Sequence, residues 1–168
     1  MFQGASSYAF GGGTIYGYVD APNLNPVTLS EDWDASSCTG EDILDDVRAM
    51  KQASIDAMHY GSWVLYIPTA YETVLDDDFK AASDKTVRQR ILEIAGIQNV
   101  TVADKLAANN VLLIQMTSDV VRMVQGLPLT TVEWQTQGNM VFHFKVMNIL
   151  VPQVRFDQEG NSGITHLS

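Results

Sequence analysis

The sequence predicts an α+β fold with an antiparallel or mixed sheet, its helices grouped ahead of most strands. Three observations carry this. Residues 39–59 form one long amphipathic helical pattern. After residue 110 the helix signal almost disappears: VLLIQM, VVRMV, TTVEWQTQ and MVFHFKVMNILV are rich in β-branched and aromatic residues. Turn residues separate these segments at Thr117, Ser118 and Asp119, at Gly126, Leu127 and Pro128, and at Gly138 and Asn139. Between the two regions, short helical and strand patterns alternate.

Residues 1–38 carry Gly4, Gly11, Gly12, Gly13 and Gly17 with Pro22 and Pro26. They read as an extended arm with one or two short strands, the best at 14–19, and the triple glycine reads as a flexible hinge. The long helix opens at Thr39, whose hydroxyl is placed to cap the amide of Asp42. Glu41, Asp42, Asp45 and Asp46 complement the positive end of its dipole, and Gly61 follows its end. Ile43, Val47, Met50, Ser54 and Met58 make one stripe, flanked by Leu44 and Ile55. About 20 residues at a rise of roughly 1.5 Å make a rod on the order of 30 Å long.

A buried strand is expected at 62–67. A second helix opens with Thr69 and Glu72 at capping-box spacing. A third follows Ser83 and Asp84, presents Val87, Ile91, Leu92 and Ile94, and stops at Gly96. A short strand at 99–102 and a polar loop at 104–110 lead into the strand-rich last third. Trp33, Trp63 and Trp134 read as core or interface anchors, because indoles dominate buried area.

With 168 residues, 46% hydrophobic and 18% charged, the chain can bury one good core, or one domain plus an extension, and lies outside the disordered class. Apolar runs such as 63–67 fall far short of the roughly 18 residues of a membrane span. The first residues lack the basic region of a secretory signal, so cytosolic synthesis is expected. Cys38, the single cysteine, excludes an internal disulfide and a cysteine metal cluster and reads as a free thiol near a helix start. A net charge of −10 with scattered basic residues argues against a nucleic-acid groove, which needs clustered Lys and Arg.

Motifs of chemistry are sparse. No Gly-Lys-Ser/Thr follows the triple glycine, so it is no phosphate loop. His59, His143 and His166 lack the i, i+4 spacing of a helical metal pair. His143 shares a strand face with Val141 and Lys145 and reads as solvent-facing, while Met140, Phe142 and Phe144 take the other face. Asp76, Asp77 and Asp78 lack the glycine and closing glutamate of a calcium loop and read as a solvated turn. No Gly-x-Ser-x-Gly elbow exists, and no Ser or Cys has a His in recognisable order. Asn99, Val100 and Thr101 fit a glycosylation acceptor, which has little weight without a secretory signal. No catalytic residue, cofactor or metal ligand is assigned, and a structural role is expected rather than an enzyme.

Three stretches carry a family resemblance. MFQGASSYAFGGGTIYGYVDAP is similar to the Phe-x-Gly and Ile-x-Gly segments of encapsulin-like shells. GSWVLYIPTAYETVLDD is similar to the strand-Pro-helix junction that enters the axial domain of capsid proteins. NMVFHFKVMNILVPQVRFDQEGNSGITHL is similar to their closing strand and tail. Together they resemble the C-terminal two-thirds of the Hong Kong 97-type capsid fold of tailed-phage major capsid proteins and encapsulins.

The resemblance implies a long spine helix at 39–59, a compact axial α/β domain and long peripheral-domain strands. The expected division is arm and spine helix at 1–60, axial domain at 61–129, and returning strands with tail at 130–168. The implied function is a self-assembling icosahedral shell for DNA, the virion capsid of a phage or prophage made in the bacterial cytoplasm. Its partners would be further copies, as capsid pentamers and hexamers, with no membrane and no sequence-specific nucleic-acid contact. Such proteins carry an N-terminal arm and an E-loop ahead of the region matched, and Met1 falls after both, so this chain by itself could be monomeric. The loop 104–110 would lie at the axial tip, making Lys105, Asn109 and Asn110 candidate inter-subunit contacts; a mobile polar loop is the other reading. An encapsulin-like compartment is an alternative, favoured by Phe2, Gly4, Ile15 and Gly17. A small α+β enzyme or ligand-binding domain with a pocket near Trp63, Tyr66 and Tyr71 is another.

Overall fold

The first elements are two short strands, β1 (Ala5–Phe10) and β2 (Gly13–Ile15), paired antiparallel. The computed structural model describes residues 2–81 and 83–168, and of residues 6–10 the backbone alone. Met1, which opens the first resemblance stretch, lies outside them. Gly11 and Gly12 turn this hairpin with φ of 62° and 81°, a left-handed pair that glycine adopts without a Cβ penalty. The triple glycine is thus a hairpin turn where a flexible hinge was expected, and the strand expected at 14–19 stops at Ile15.

Next come β3 (Asn25–Val27) and α1 (Gly40–Asp56). The cap of α1 is reciprocal: the Thr39 hydroxyl accepts from the Asp42 amide at 3.4 Å, and the Asp42 carboxylate accepts from the Thr39 amide at 2.9 Å. Ile43, Leu44, Val47, Met50 and Ser54 are buried as the stripe requires. Met58 is not. The helix ends at Asp56, and Met58, at φ 62°, turns the chain left-handed and carries its side chain off the stripe to 64% exposure.

Strand β4 (Trp63–Ile67) leads through Pro68 into a 3₁₀ turn (Thr69–Tyr71) and α2 (Glu72–Asp76). No side chain caps this turn and Thr69 lies inside it, so the expected capping box at Thr69 does not form. Helix α3 (Val87–Leu92) is capped by Thr86 with Gln89, just beyond the Ser83 and Asp84 start expected from sequence. Asp76 meets Arg88 at 2.8 Å, and Asp78 bridges to Thr86, so the aspartate run joins α2 to α3.

The remaining strands are β5 (Ile97–Val102), β6 (Val111–Gln115), β7 (Val121–Thr136), β8 (Val141–Val154) and β9 (Ile164–Leu167). Five of the strands form one mixed sheet in the order β3-β9-β6-β4-β5. The outer pairs β3/β9 and β4/β5 are parallel; β9/β6 and β6/β4 are antiparallel. VLLIQM supplies the central strand β6, with Val111, Leu112, Leu113 and Ile114 all buried because both sheet faces are covered.

On one face Leu65, Ile67, Val111, Leu113 and Leu167 meet Ile43, Val47 and Met50 of α1, Leu75 of α2 and Ile91 of α3. Helix α1, expected as the spine of a peripheral domain, packs here across the sheet. On the other face Leu112, Ile114 and Ile164 meet Tyr18, Leu106 and Val120, with Phe2, Val121 and Val154 partly buried against them. The helix-side core joins residues from all three expected segments, through α1, β4 to β6, and β9. No helix among the described residues is long and apolar enough to cross a membrane.

Strands β7 and β8 pair only with each other, as an antiparallel ribbon. Gly126, Leu127 and Pro128 do not turn the chain as expected. They sit inside β7, where two register shifts, between Gln125 and Leu127 and between Leu127 and Thr130, absorb an extra residue each as bulges. At roughly 3.4 Å per residue the ribbon is about 50 Å long, and among the described residues it meets the body at its foot, through Val121 and Val154.

Candidate functional site

Two regions concentrate the features that a recognition surface needs: the ribbon, and the loop between β5 and β6. Alternation along MVFHFKV orders the ribbon as the sequence predicts, with His143 on one face and Phe142 and Phe144 on the other. What alternation alone could not show is that, beyond Val121 and Val154 at the foot, the ribbon's large apolar side chains are left exposed on both faces. Phe142 is 53% exposed, Phe144 66% and Trp134 43%, and Val146, Ile149 and Leu150 are exposed as well. His143 is half-buried by its own ribbon, its ring stacked on Trp134 at 5.1 Å and its Nε2 hydrogen-bonded to Thr136 Oγ1 at 3.0 Å. At the foot, Tyr16, Pro22, Val124, Val151, Pro152 and Phe156 line an open apolar cleft of about 360 Å³.

The loop residues 103–110 are held at both ends. Ala103 and Leu106 are buried, and the Ala103 amide donates to the Ile67 carbonyl at 2.9 Å. Of the three candidate contact residues, Asn109 and Asn110 have side-chain partners within the chain. Asn109, at φ 61°, accepts from the Tyr71 hydroxyl through Oδ1 at 3.0 Å. Burial pushes the Tyr71 phenol up to about 12, so it stays a donor. Asn110 Nδ2 donates to the Ala108 carbonyl at 2.8 Å, which leaves Oδ1 to accept from His166 Nε2 at 2.6 Å. Burial lowers the His166 pKa and favours the neutral ring. Lys105 uses only its carbonyl, accepting from Gln3 Nε2 at 3.2 Å, while the residue itself is exposed.

Other sequence candidates resolve differently. Trp63 and Tyr71 lie in the helix-side core and Tyr66 packs against the opposite one, so the three do not line a common pocket. Trp33 and Trp63 are core anchors; Trp134 is the exposed exception. The Cys38 thiol is pushed up to about 11 by burial, then by Asp42, Glu31 and Asp46, which keeps it protonated and a poor nucleophile. No group of three or more His, Cys, Asp or Glu among the described residues is placed to hold a metal ion.

The Phe-x-Gly and Ile-x-Gly segments lie against each other. A Cβ on Gly4 would sit 2.5 Å from the Ile15 oxygen, and one on Gly17 would sit 2.5 Å from the Gly4 nitrogen. This close crossing seats the Phe2 ring edge-on against Tyr18 at 5.7 Å and Tyr66 at 5.0 Å.

The helix-covered mixed sheet, with its long ribbon inserted between the neighbouring strands β6 and β9, is a capsid-like fold by its likeness to two solved structures. The chain aligns over 90% of its length with a virus-like particle from Pyrococcus furiosus, at TM-score 0.67 and 21% identity, covering 58% of that chain. It aligns equally far with the capsid of Myoviridae phage XM1, at TM-score 0.72 and 8% identity, covering 53% of that chain. The chain therefore spans little more than half the length of these structures, and the likeness is one of fold. It belongs to the family described as a family of unknown function, DUF6260, whose model matches residues 1–167. No curated protein matches the sequence.

Proposed function

We propose that this chain is a subunit of a self-assembling icosahedral shell of the Hong Kong 97 type, the major capsid protein of a tailed phage or prophage. Its role is structural rather than enzymatic. It is made in the bacterial cytoplasm and ends in the virion capsid, assembling with further copies as pentamers and hexamers around packaged DNA. On this reading the body built on the five-stranded sheet, α1 included, is the axial domain, and the ribbon begins the peripheral one.

The observation that carries this is the ribbon. A two-stranded hairpin without a third strand or a covering layer is marginal in water, and this one is long, carries exposed apolar side chains on both faces and, among the described residues, pairs with no third strand. Such an element is stabilised by burial against another body, and repeated heterologous contacts around closed symmetry supply that burial many times over. The capsid-like fold supports the same reading.

The crossing of Gly4 and Gly17 favours an encapsulin-like compartment as the second reading, since the two segments that resemble those shells are packed together as one unit. Negative-stain electron microscopy of the complete gene product tests the shell, with this chain run beside it on a sizing column. Closed particles from the former, with monomers or small rings from the latter, are expected. A compact monomer in both would overturn the proposal, and co-purification of an enzyme cargo within particles would favour the compartment over the phage head.

A further inference from the structure

We infer that one face of the β7–β8 ribbon, centred on Arg122, Val132, Trp134, His143 and Lys145, docks onto the acidic body of a second copy of this chain. The inference deepens the shell reading and rests on it.

The face is defined by register. Strand β8 runs without a bulge, so Gln153, Val151, Ile149, Met147, Lys145 and His143 point the same way, and their partners in β7 share that face. Arg122 pairs with Gln153, Val132 with Lys145, and Trp134 with His143. The two bulges in β7 each add one residue and restore the alternation, which keeps the face continuous from foot to tip.

Charge then separates the two faces. Between residues 121 and 156 the chain carries Arg122, Lys145 and Arg155 against Glu133 alone. Glu133 pairs with Phe144 and so lies on the opposite face. In a chain of net charge −10, the rest of the molecule is therefore more acidic than the whole. The body's cations are mostly neutralised at home: Arg48 by Asp45, Lys80 by Glu41, Lys85 and Arg90 by Glu93, and Arg88 by Glu72 and Asp76. Among the described residues Arg122 and Lys145 have no ion pair; Arg122 is hydrogen-bonded to the neutral Gln153.

A cationic, aromatic face and an acidic body are complementary, whereas two such faces brought together would oppose like charges. The contact is thus ribbon on body, a head-to-tail geometry that closes into rings when the rotation permits. About 50 Å of ribbon roughly 10 Å wide offers on the order of 500 Å² per face, the scale of a repeated weak contact rather than a lone tight dimer.

Sedimentation equilibrium of the purified chain over a salt series, with Lys145→Glu, the double variant R122E/K145E and Phe144→Ser on the opposite face, tests this. Expected is concentration-dependent association at low salt that weakens about tenfold or more as salt rises through the physiological range. The double variant loses it and Phe144→Ser keeps it, all with unchanged circular dichroism. A wild-type chain that is monomeric at every salt, association untouched by R122E/K145E, or loss confined to Phe144→Ser would each overturn the inference. So would binding of single-stranded DNA or anionic vesicles through Lys145 without self-association. The two readings fail separately. Closed particles that form normally from the complete gene product carrying R122E/K145E would remove the ribbon contact alone. Association sensitive to Lys145 without closed particles would remove the shell alone.

Discussion

The indole N–H of Trp63 donates to the Ser54 hydroxyl at 2.9 Å, with both side chains closed to solvent. This ties the start of β4 to the last turns of α1, where a serine would otherwise serve the helix poorly. Ser54→Ala leaves the indole donor buried without a partner, at a cost of about 1–3 kcal/mol against a few tenths regained in helix propensity. The urea midpoint should fall with the slope of unfolding unchanged. An unaltered midpoint would mean that water replaces the hydroxyl.

Local signals were legible and non-local ones were not. Thr39 and Asp42 announced the α1 cap because both partners lie within one turn, and the Asn99–Val102 pattern lay within β5. Ser83 and Asp84 masked the true cap at Thr86, since all three are good cap formers and only the bridge from Asp78 to Thr86 decides among them. The ribbon's alternation was visible; its continuity was not, because Gly126 and Pro128 read as a turn unless the partner strand is known to run past them. In the loop, Asn109 and Asn110 were singled out by position alone, as contacts to a neighbouring subunit and not for the intrachain bonds they make. Their partners Tyr71 and His166 lie 38 and 56 residues away, beyond the reach of any local pattern.

At Gly17, an added Cβ would meet the Gly4 nitrogen and the Phe2 oxygen, both at 2.5 Å, and backbone cannot step aside as a side chain end can. Gly17→Ala should displace residues 2–4, break the bond from the Val19 amide to the Phe2 carbonyl (3.0 Å) and withdraw Phe2 from Tyr18 and Tyr66. A loss of about 1–3 kcal/mol is expected, together with faster chymotrypsin cleavage in the N-terminal segment. Unchanged proteolysis would show that the crossing tolerates a wider spacing.

His166 gives the fold a pH dependence of definite sign. Burial lowers its folded pKa below the ordinary value of 6.5, so between the two the unfolded chain binds more protons. Its contribution is full above the unfolded value and is lost as pH falls through the folded one. The thermal midpoint should therefore drop on acidification below about pH 6.5, and His166→Gln, which can still donate to Asn110, should flatten that part of the curve. Equal slopes in the two proteins would assign the effect to other groups.

Lys105 and Asn109 stand four residues apart in one loop and should respond to different measurements. Asn109→Ala removes the acceptor of the Tyr71 hydroxyl and puts a Cβ-bearing residue without a polar side chain at φ 61°, so about 1–2 kcal/mol of stability should be lost. Lys105→Glu alters an exposed side chain and leaves the carbonyl that Gln3 uses, so its unfolding midpoint should stay within about 0.5 kcal/mol of wild type. If the loop meets a neighbouring subunit, as the family resemblance implies, Lys105→Glu should instead lower the yield of particles from the complete gene product. Normal particles from that variant would remove Lys105 from the interface and leave the loop's role to the intrachain bonds of Asn109 and Asn110, which hold β6 and β9 to the Tyr71 turn.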